Sequence, residues 1–174
     1  MCEPWKIFIE RLWSLNIFSC AVMKINLKKF NENKWTWVMQ YGYPQDLYYD
    51  NRNTFFFQSF DEAPIEIFKF ADKHFQKNYS ITMMKQPPGS FIPRHQDKHY
   101  RFKSKSKILP HQKITRYCVF LEDWKPGHYF EYNDKPIRPW TKGDIISLEK
   151  GVYHRSVNAG TQFKYTAQIT GILK

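Results

Sequence analysis

Three residues of the sequence have the types and the spacing of a metal site. His95 and Asp97 form a His-x-Asp pair, and His154 stands in a later run of strand-forming residues. In a strand, residues i and i+2 point to the same face, so His95 and Asp97 could reach one metal ion. A lone histidine in such a run is more simply a structural residue. The three residues together favour a metal centre, because two imidazoles and one carboxylate leave coordination positions open for other ligands.

Open positions matter because a bidentate cosubstrate and O₂ could then bind together, as they do in non-haem Fe(II) oxygenases. Lys164 follows His154 by ten positions and also stands in a strand-like run. A cation inside a barrel strand is costly unless it is paired, and the far carboxylate of a dicarboxylate cosubstrate would pair it. Alternatively, Lys164 faces solvent on an edge strand. Arg116, within another strand-like run, is a competing or additional cation for the same role.

The segments that position these residues have the pattern of short antiparallel strands. From residue 79 onward, β-type runs alternate with turn sequences such as Lys142-Gly143-Asp144. Strands of this length and spacing predict a mainly β fold, the cupin-like jelly roll or double-stranded β-helix. The predicted strands cover residues 79–85, 114–121, 128–132, 135–140, 145–148, 152–157 and 163–173.

The N-terminal part of the chain predicts a helical cover for this barrel. A capping box that begins at Ser59 precedes apolar residues at helical spacing, which predicts a helix over 61–76. The chain has 174 residues, and domains average roughly 150. We therefore predict a single domain over residues 1–174, with a covering region at 1–78 and a jelly-roll core at 79–174.

A basic segment, residues 98–113, directly follows the His-x-Asp pair. It carries six lysine or arginine residues, whose mutual repulsion predicts a mobile surface loop. Because this loop begins beside Asp97, it could capture a negatively charged substrate, but it could equally be a solvated insertion. His99, His111 and His128 lack partners at ligand spacing, so we predict surface or loop positions for them.

Composition narrows the remaining function classes. Hydrophobic residues make up 42% and charged residues 25%, which predicts a packed core, and the net charge of +11 favours an anionic substrate, cofactor or partner. The three cysteines form no CxxC pair, which favours a reducing, cytoplasmic setting. The longest apolar run, residues 12–23, is shorter than the roughly 20 residues that a membrane span needs. No standard nucleic-acid motif accompanies the basic segment, so we expect neither a membrane nor a nucleic acid as partner.

Two stretches of the sequence resemble the 2-oxoglutarate/Fe(II)-dependent oxygenases. The stretch MKQPPGSFIPRHQD at residues 84–97 is similar to the first metal motif of that family. The later stretch, from WTKGD at 140–144 through His154 to Lys164, is similar to its second half. Prolyl hydroxylases and aspartyl/asparaginyl β-hydroxylases share this distal histidine followed ten positions later by lysine or arginine. The resemblance covers approximately residues 79–173.

The resemblance implies His95, Asp97 and His154 as iron ligands and Lys164 as the partner of the 2-oxoglutarate C5 carboxylate. Arg116 would contribute as an arginine does in the β-hydroxylase branch. The implied function is hydroxylation of an unidentified substrate, such as an amino-acid side chain in a protein or peptide. Its cosubstrates would be 2-oxoglutarate and O₂, and ascorbate could serve as reductant. The alternatives are a non-catalytic β-sandwich module that binds an anionic polymer, and another metal-dependent cupin enzyme such as an isomerase.

Overall fold

A computed structural model describes residues 31–32, 55–57, 63 and 65–174 of the chain. Its helices are α1 (Ile65–His74) and α2 (Tyr100–Lys105), and its strands are β1 (Asn31–Glu32), β2 (Phe55–Phe57), β3 (Ser80–Gln86), β4 (Phe91–His95), β5 (Ile114–Phe120), β6 (His128–Tyr132), β7 (Lys135–Pro136), β8 (Ile145–Leu148), β9 (His154–Asn158) and β10 (Lys164–Ile172). Neither helix is long and apolar enough to cross a membrane.

The described strands form two antiparallel sheets. The larger has six strands in the order β1-β2-β3-β10-β5-β8, and the smaller has four in the order β4-β9-β6-β7. Such a pair of facing sheets is the jelly roll that the strand pattern predicts. The expected fold class is therefore confirmed.

Strand β10 lies inside the larger sheet, paired with β3 on one side and β5 on the other. Side chains along a strand alternate between the two faces of a sheet. Lys164, Thr166 and Thr170 share the face that meets the smaller sheet, whereas Ala167 and Ile169 pack in the apolar cluster under helix α1. We call the space between the two sheets the chamber.

Helix α1 covers the outer face of the larger sheet. Its buried side chains, Ile67, Phe70 and Ala71, join the apolar cluster on that face. Burying a side chain such as Phe70 contributes about 1.5–3 kcal/mol relative to leaving it exposed. Gly171 of β10 permits close packing here, because a Cβ at this position would lie 2.8 Å from a ring carbon of Phe75. The predicted helical cover is thus represented by α1, whereas the other described elements of the N-terminal region, β1 and β2, extend the larger sheet.

A second apolar cluster occupies part of the chamber. Phe120 of β5 stacks on Trp140 with 4.2 Å between ring centroids, and it meets Phe130 of β6 edge to face at 5.5 Å. Further members are Cys118, Ile137, Ile146 and Leu148. These aromatic rings hold the two sheets together and form an apolar wall beside the polar residues of the chamber.

The boundaries of the predicted strands differ little from those in the structure except at residues 135–140, and no strand range was predicted for β4. The predicted strand over 135–140 ends at Pro136, because Pro136 and Pro139 have no N–H to donate to a ladder. The basic segment is not a loop throughout, since residues 100–105 form α2 and Phe102 is anchored at 7% exposure. Helix α1 ends at His74, whereas its predicted start at residue 61 and the proposed cap Ser59 lie outside the described residues.

Candidate metal centre

A β-bulge in β4 brings His95 opposite His154. Ile92 pairs with Ser156 and His95 pairs with His154, so three steps along β4 match two steps along β9. The additional residue shifts the alternation, and both Ile92 and His95 face the chamber. Pro93 lies within the bulge, where its missing N–H removes no regular ladder bond. The two imidazole centroids are 4.3 Å apart.

Asp97 joins the two histidines from just beyond the end of β4. The expectation that His95 and Asp97 share a strand face is wrong, because the strand ends at His95. The Asp97 Oδ1 atom lies 3.9 Å from Nε2 of His95, and its Oδ2 atom lies 3.6 Å from Nε2 of His154. Within the described part of the chain, these three residues offer ligand atoms that all lie within 4.8 Å of one another.

Backbone carbonyls fix the orientation of both imidazoles. Nδ1 of His95 lies 2.8 Å from the carbonyl oxygen of Pro93, and Nδ1 of His154 lies 3.3 Å from that of Val152. A carbonyl oxygen can only accept, so each Nδ1 carries the proton and each Nε2 presents its lone pair to the cluster. His154 Nε2 and Asp97 Oδ2 are buried and have no hydrogen-bond partner among the described residues. A metal cation would satisfy both atoms.

The protonation states of the cluster suit a metal. Burial lowers the pKa of His95 to about 4, with a smaller contribution from His154. Burial also lowers the pKa of His154. For Asp97, burial acts to raise the pKa, but the positive charge of Arg116 and the nearby histidines hold it below its ordinary value. At neutral pH the cluster therefore consists of two neutral imidazoles and a carboxylate, the forms that ligate metals.

Arg116 connects the larger sheet to this cluster. It donates from Nη1 to Oδ1 of Asp97 at 2.7 Å and from Nε to Oγ1 of Thr170 at 2.8 Å. Its guanidinium therefore fixes one oxygen of Asp97 and leaves Oδ2 turned toward His154. The structure brings Arg116 to the proposed site, with the Asp97 carboxylate as its partner. A contact of Arg116 with a cosubstrate stays a prediction.

Lys164 is buried in the chamber at 1% exposure, so its placement toward solvent on an edge strand is wrong. Its Nζ donates to the Tyr129 carbonyl at 2.5 Å, to Ser156 Oγ at 2.6 Å and to the Val157 carbonyl at 3.3 Å. Ser156 in turn donates to the side-chain oxygen of Gln86 at 2.8 Å. Burial lowers the pKa of Lys164 to about 7.

One aromatic ring links Lys164 to the metal cluster. The ring of Phe130 stacks beside His154 with 6.5 Å between centroids, and Lys164 Nζ lies 5.7 Å from the same ring. Ser156 and His154 share the inner face of β9, with Cα atoms about 6.6 Å apart for residues i and i+2 of a strand. The cation thus lies on the same wall of the chamber as His154, one strand repeat away.

Sequence reasoning missed His99 and His128, which are buried at 4% and 2% exposure, whereas His111 is exposed as expected. His128 donates from Nε2 to the Gln162 carbonyl at 3.2 Å, and its Nδ1 lies 3.7 Å from Glu122, so its contacts are structural and away from the cluster. His99 lies beside Asp97 and has a left-handed backbone with φ of 54°. The His-x-Asp-x-His spacing of residues 95, 97 and 99 is the signal that could have identified it, although residues 97 and 99 lie beyond the end of β4.

His99 sits among positive charges. The pKa of His99 is lowered to about 4, chiefly by burial and then by the positive charge of Arg116, with smaller contributions from Lys103 and Lys150. Asp97 acts in the opposite direction. Neither ring nitrogen of His99 has a hydrogen-bond partner in the part of the chain that the structure describes.

The two sheets and the buried His–Asp–His cluster between them define a jelly-roll domain with a candidate metal centre. The sequence matches no known protein-family profile and no curated protein. Its fold is similar to that of solved proteins at low sequence identity. The assignment to the jelly-roll class follows from the strand order of this chain.

Three solved structures illustrate this likeness. A prolyl-4-hydroxylase from Pseudomonas putida is 14% identical, with 70% of this chain and 71% of that chain covered and a TM-score of 0.49. The plu4264 protein from Photorhabdus luminescens is 10% identical, with 85% and 84% covered and a TM-score of 0.48. A Cupin 2 conserved barrel domain protein from Salinispora arenicola CNS-205 is 8% identical, with 88% and 90% covered and a TM-score of 0.46.

Proposed function

We propose that this chain is an Fe(II)- and 2-oxoglutarate-dependent dioxygenase that hydroxylates a C–H bond of its substrate. The observation that carries the proposal is the buried cluster of His95, Asp97 and His154, whose ligand atoms lie within 4.8 Å of one another. Two imidazoles and one carboxylate are the ligands of the 2-His-1-carboxylate iron centres. The unpartnered buried atoms of His154 and Asp97 fit a bound cation.

The second support is the cation buried in the same chamber. Among the described residues, Lys164 has no carboxylate as a hydrogen-bond partner, and its Nζ contacts neutral oxygens and aromatic rings. A dicarboxylate chelated at the cluster could extend along β9 toward Lys164. The hydroxyl of Ser156 is placed to join Lys164 in binding the far carboxylate.

Fe(II) with 2-oxoglutarate supplies the oxidising chemistry, in which O₂ yields a hydroxylated substrate, succinate and CO₂. The residues of the chain hold the participants in place. The carbonyls of Pro93 and Val152 keep the Nε2 atoms of both histidines as lone-pair donors, and Arg116 holds Asp97 ionised. The apolar wall around Phe130 excludes water from the side of the chamber next to His154.

A second candidate function is that of a metal-dependent cupin enzyme without 2-oxoglutarate. The hydrogen bonds of Lys164 favour this second candidate, because the three N–H groups of its ammonium already have three acceptors within the fold. A lysine satisfied in this way could be structural. The metal centre would then remain, and a dicarboxylate would not bind in the chamber.

Anaerobic titration of the full chain with Fe(II) and then 2-oxoglutarate tests the proposal. We expect the weak visible charge-transfer band of a chelated complex, and succinate once O₂ is admitted. Succinate added in place of 2-oxoglutarate is the matched control, because it has two carboxylates and lacks the chelating keto oxygen. Iron binding without the band would contradict the proposal and favour the second candidate. A folded chain that binds no iron would contradict both and favour a non-catalytic binding module.

A further inference from the structure

We infer that the substrate presents an oxyanion, a carboxylate or a phosphate, which is bound by His99 together with Lys103 and Lys150 beside the metal cluster. This inference rests on the proposed function and specifies the substrate of the same site. It assigns a role to a buried histidine that the metal cluster does not use. It also separates two particular lysines from the general charge of the basic segment.

The backbone brings these three residues together from two parts of the chain. Gln96 donates from its side chain to the carbonyl of Gly151 at 2.7 Å, which ties the segment after β4 to the turn that carries Lys150. His99 precedes the first residue of α2, and its carbonyl accepts the N–H of Lys103 at 3.0 Å. This backbone bond holds Lys103 one helical turn from His99, and the charge of Lys103 acts on the His99 ring.

His99 itself indicates a ligand. It is only 4% exposed, and neither ring nitrogen has a hydrogen-bond partner among the described residues. An unpaired buried polar group is unfavourable, so such a group in a folded chain calls for a partner from outside the fold. The partner is not the metal, because the ligand atoms that cluster within 4.8 Å belong to His95, Asp97 and His154.

The charges around His99 select an anion as that partner. Arg116, Lys103 and Lys150 act on it as positive neighbours, with Asp97 as the opposing negative one. Asp97 is itself bound by Arg116 and would bind the metal, so its charge is committed. A neutral imidazole can donate one hydrogen bond to an oxyanion, and the two lysines supply the compensating charge at the surface.

The test measures binding of acetate and of inorganic phosphate to the full chain loaded with Zn(II) and 2-oxoglutarate. NMR signals of the histidine rings report the binding, and the two anions distinguish a carboxylate from a phosphate ligand. We expect saturable shifts at His99 and, for His99→Leu, affinity about tenfold weaker, as for the loss of a charge-assisted hydrogen bond. Lys103→Gln and Lys150→Gln should each weaken binding about threefold, because exposed charges are screened.

Lys105→Gln is the matched control, since it removes the same charge from an exposed position on the same helix. The affinity of Lys105→Gln for acetate and for phosphate should stay within about twofold of the wild-type affinity. Equal weakening by Lys105→Gln and Lys103→Gln would show general surface attraction and overturn the inference. Saturable shifts with no 2-oxoglutarate turnover by the Fe(II)-loaded chain would retain the anion site and reject the oxygenase. Turnover with no anion binding would reject the site alone. Anion binding to the chain loaded with Zn(II) alone that is lost when 2-oxoglutarate is added would assign His99 to the cosubstrate and overturn the inference as well.

Discussion

Replacing Lys164 with methionine is the sharpest test of the proposed cosubstrate site. The substitution keeps the length of the side chain and removes the ammonium. A charge-assisted hydrogen bond contributes roughly 1.5–3 kcal/mol, which corresponds to about ten- to hundredfold in affinity. The structure favours the smaller loss of affinity, because a bound carboxylate must replace one of the three existing acceptors of Nζ. The hydroxyl of Ser156 is the acceptor that can rotate away, since the other two are backbone carbonyls within the smaller sheet. We therefore expect 2-oxoglutarate to bind Lys164→Met about tenfold more weakly.

The same substitution changes how stability depends on pH. The pKa of Lys164 falls from 10.5 to about 7 in the folded chain because the side chain is buried. Between these values the unfolded chain holds a proton that the folded chain releases, so stability rises with pH across this window. Below pH 7 both states are protonated, and the cost of burying the charge is fully present. A shift of this size corresponds to at most about 5 kcal/mol, and the three oxygen acceptors of Nζ reduce it by favouring the ammonium.

Two measurements follow from these arguments. The Kd for 2-oxoglutarate is measured on the Mn(II)-loaded chain, and the unfolding free energy is measured in urea at several pH values between 7 and 10. Lys164→Met should lose most of the rise in stability over this range, whereas Lys135→Met, which removes a charge from an exposed strand residue, should keep it. A Kd within twofold of wild type in folded Lys164→Met would refute the assignment. A large effect of Arg116→Met beside it, with Mn(II) saturating in both variants, would transfer the role to Arg116.

Three further predictions concern the cluster and the basic segment. His95→Ala and His154→Ala should each abolish iron-dependent formation of succinate in a chain that remains folded by circular dichroism, and wild-type turnover in either variant would end the metal assignment. Arg116→Met leaves Oδ1 of Asp97 without its 2.7 Å partner, and it should weaken metal affinity about tenfold, the lower end of the range for residues that support metal ligands. An equilibrium titration with Mn(II) checks this, and unchanged affinity would show that Arg116 does not support Asp97. Neutralising three exposed lysines of the basic segment together should raise KM for the substrate and reduce the dependence of KM on salt, without changing uncoupled turnover of 2-oxoglutarate. If KM measured across a salt series is the same for wild type and the variant, the segment is a solvated insertion. These lysines are Lys103, Lys105 and Lys107.

The strands were predictable because alternation and turn residues are local properties of the sequence. The runs at 128–132 and 145–148 coincide with β6 and β8, and turn sequences delimit both. Helix α2 was not predictable in the same way. The repulsion among the lysines of the basic segment is visible in the sequence, but the burial of Phe102, which anchors the helix, depends on contacts made only in the folded chain. A tertiary contact thus outweighed a local electrostatic preference.

The cluster was predictable in its membership and not in its geometry. His95 and His154 come together because a bulge adds one residue to β4, and no simple period-two pattern reveals that residue. Asp97 reaches the site from a loop, so its agreement with the His-x-Asp spacing does not come from a shared strand face. The burial of His99 was not predictable, because it depends on contacts made only in the folded chain. The contact of Arg116 with Asp97 also depends on how the two sheets pack against each other, which the sequence does not specify.

The two sheets contribute different groups to the chamber, ligand groups from one and cations from the other. The smaller sheet and the loop after it provide the ligand groups His95, Asp97 and His154, while the larger sheet provides the cations Arg116 and Lys164. The charge of Asp97 is balanced by Arg116 at 2.7 Å. Under the proposed function, a divalent metal would be balanced by the two carboxylates of 2-oxoglutarate, and the far carboxylate would raise the pKa of Lys164 and keep it charged. One positive charge remains in this arrangement, and low-dielectric surroundings make an uncompensated charge costly. A substrate oxyanion beside the cluster would provide the compensation.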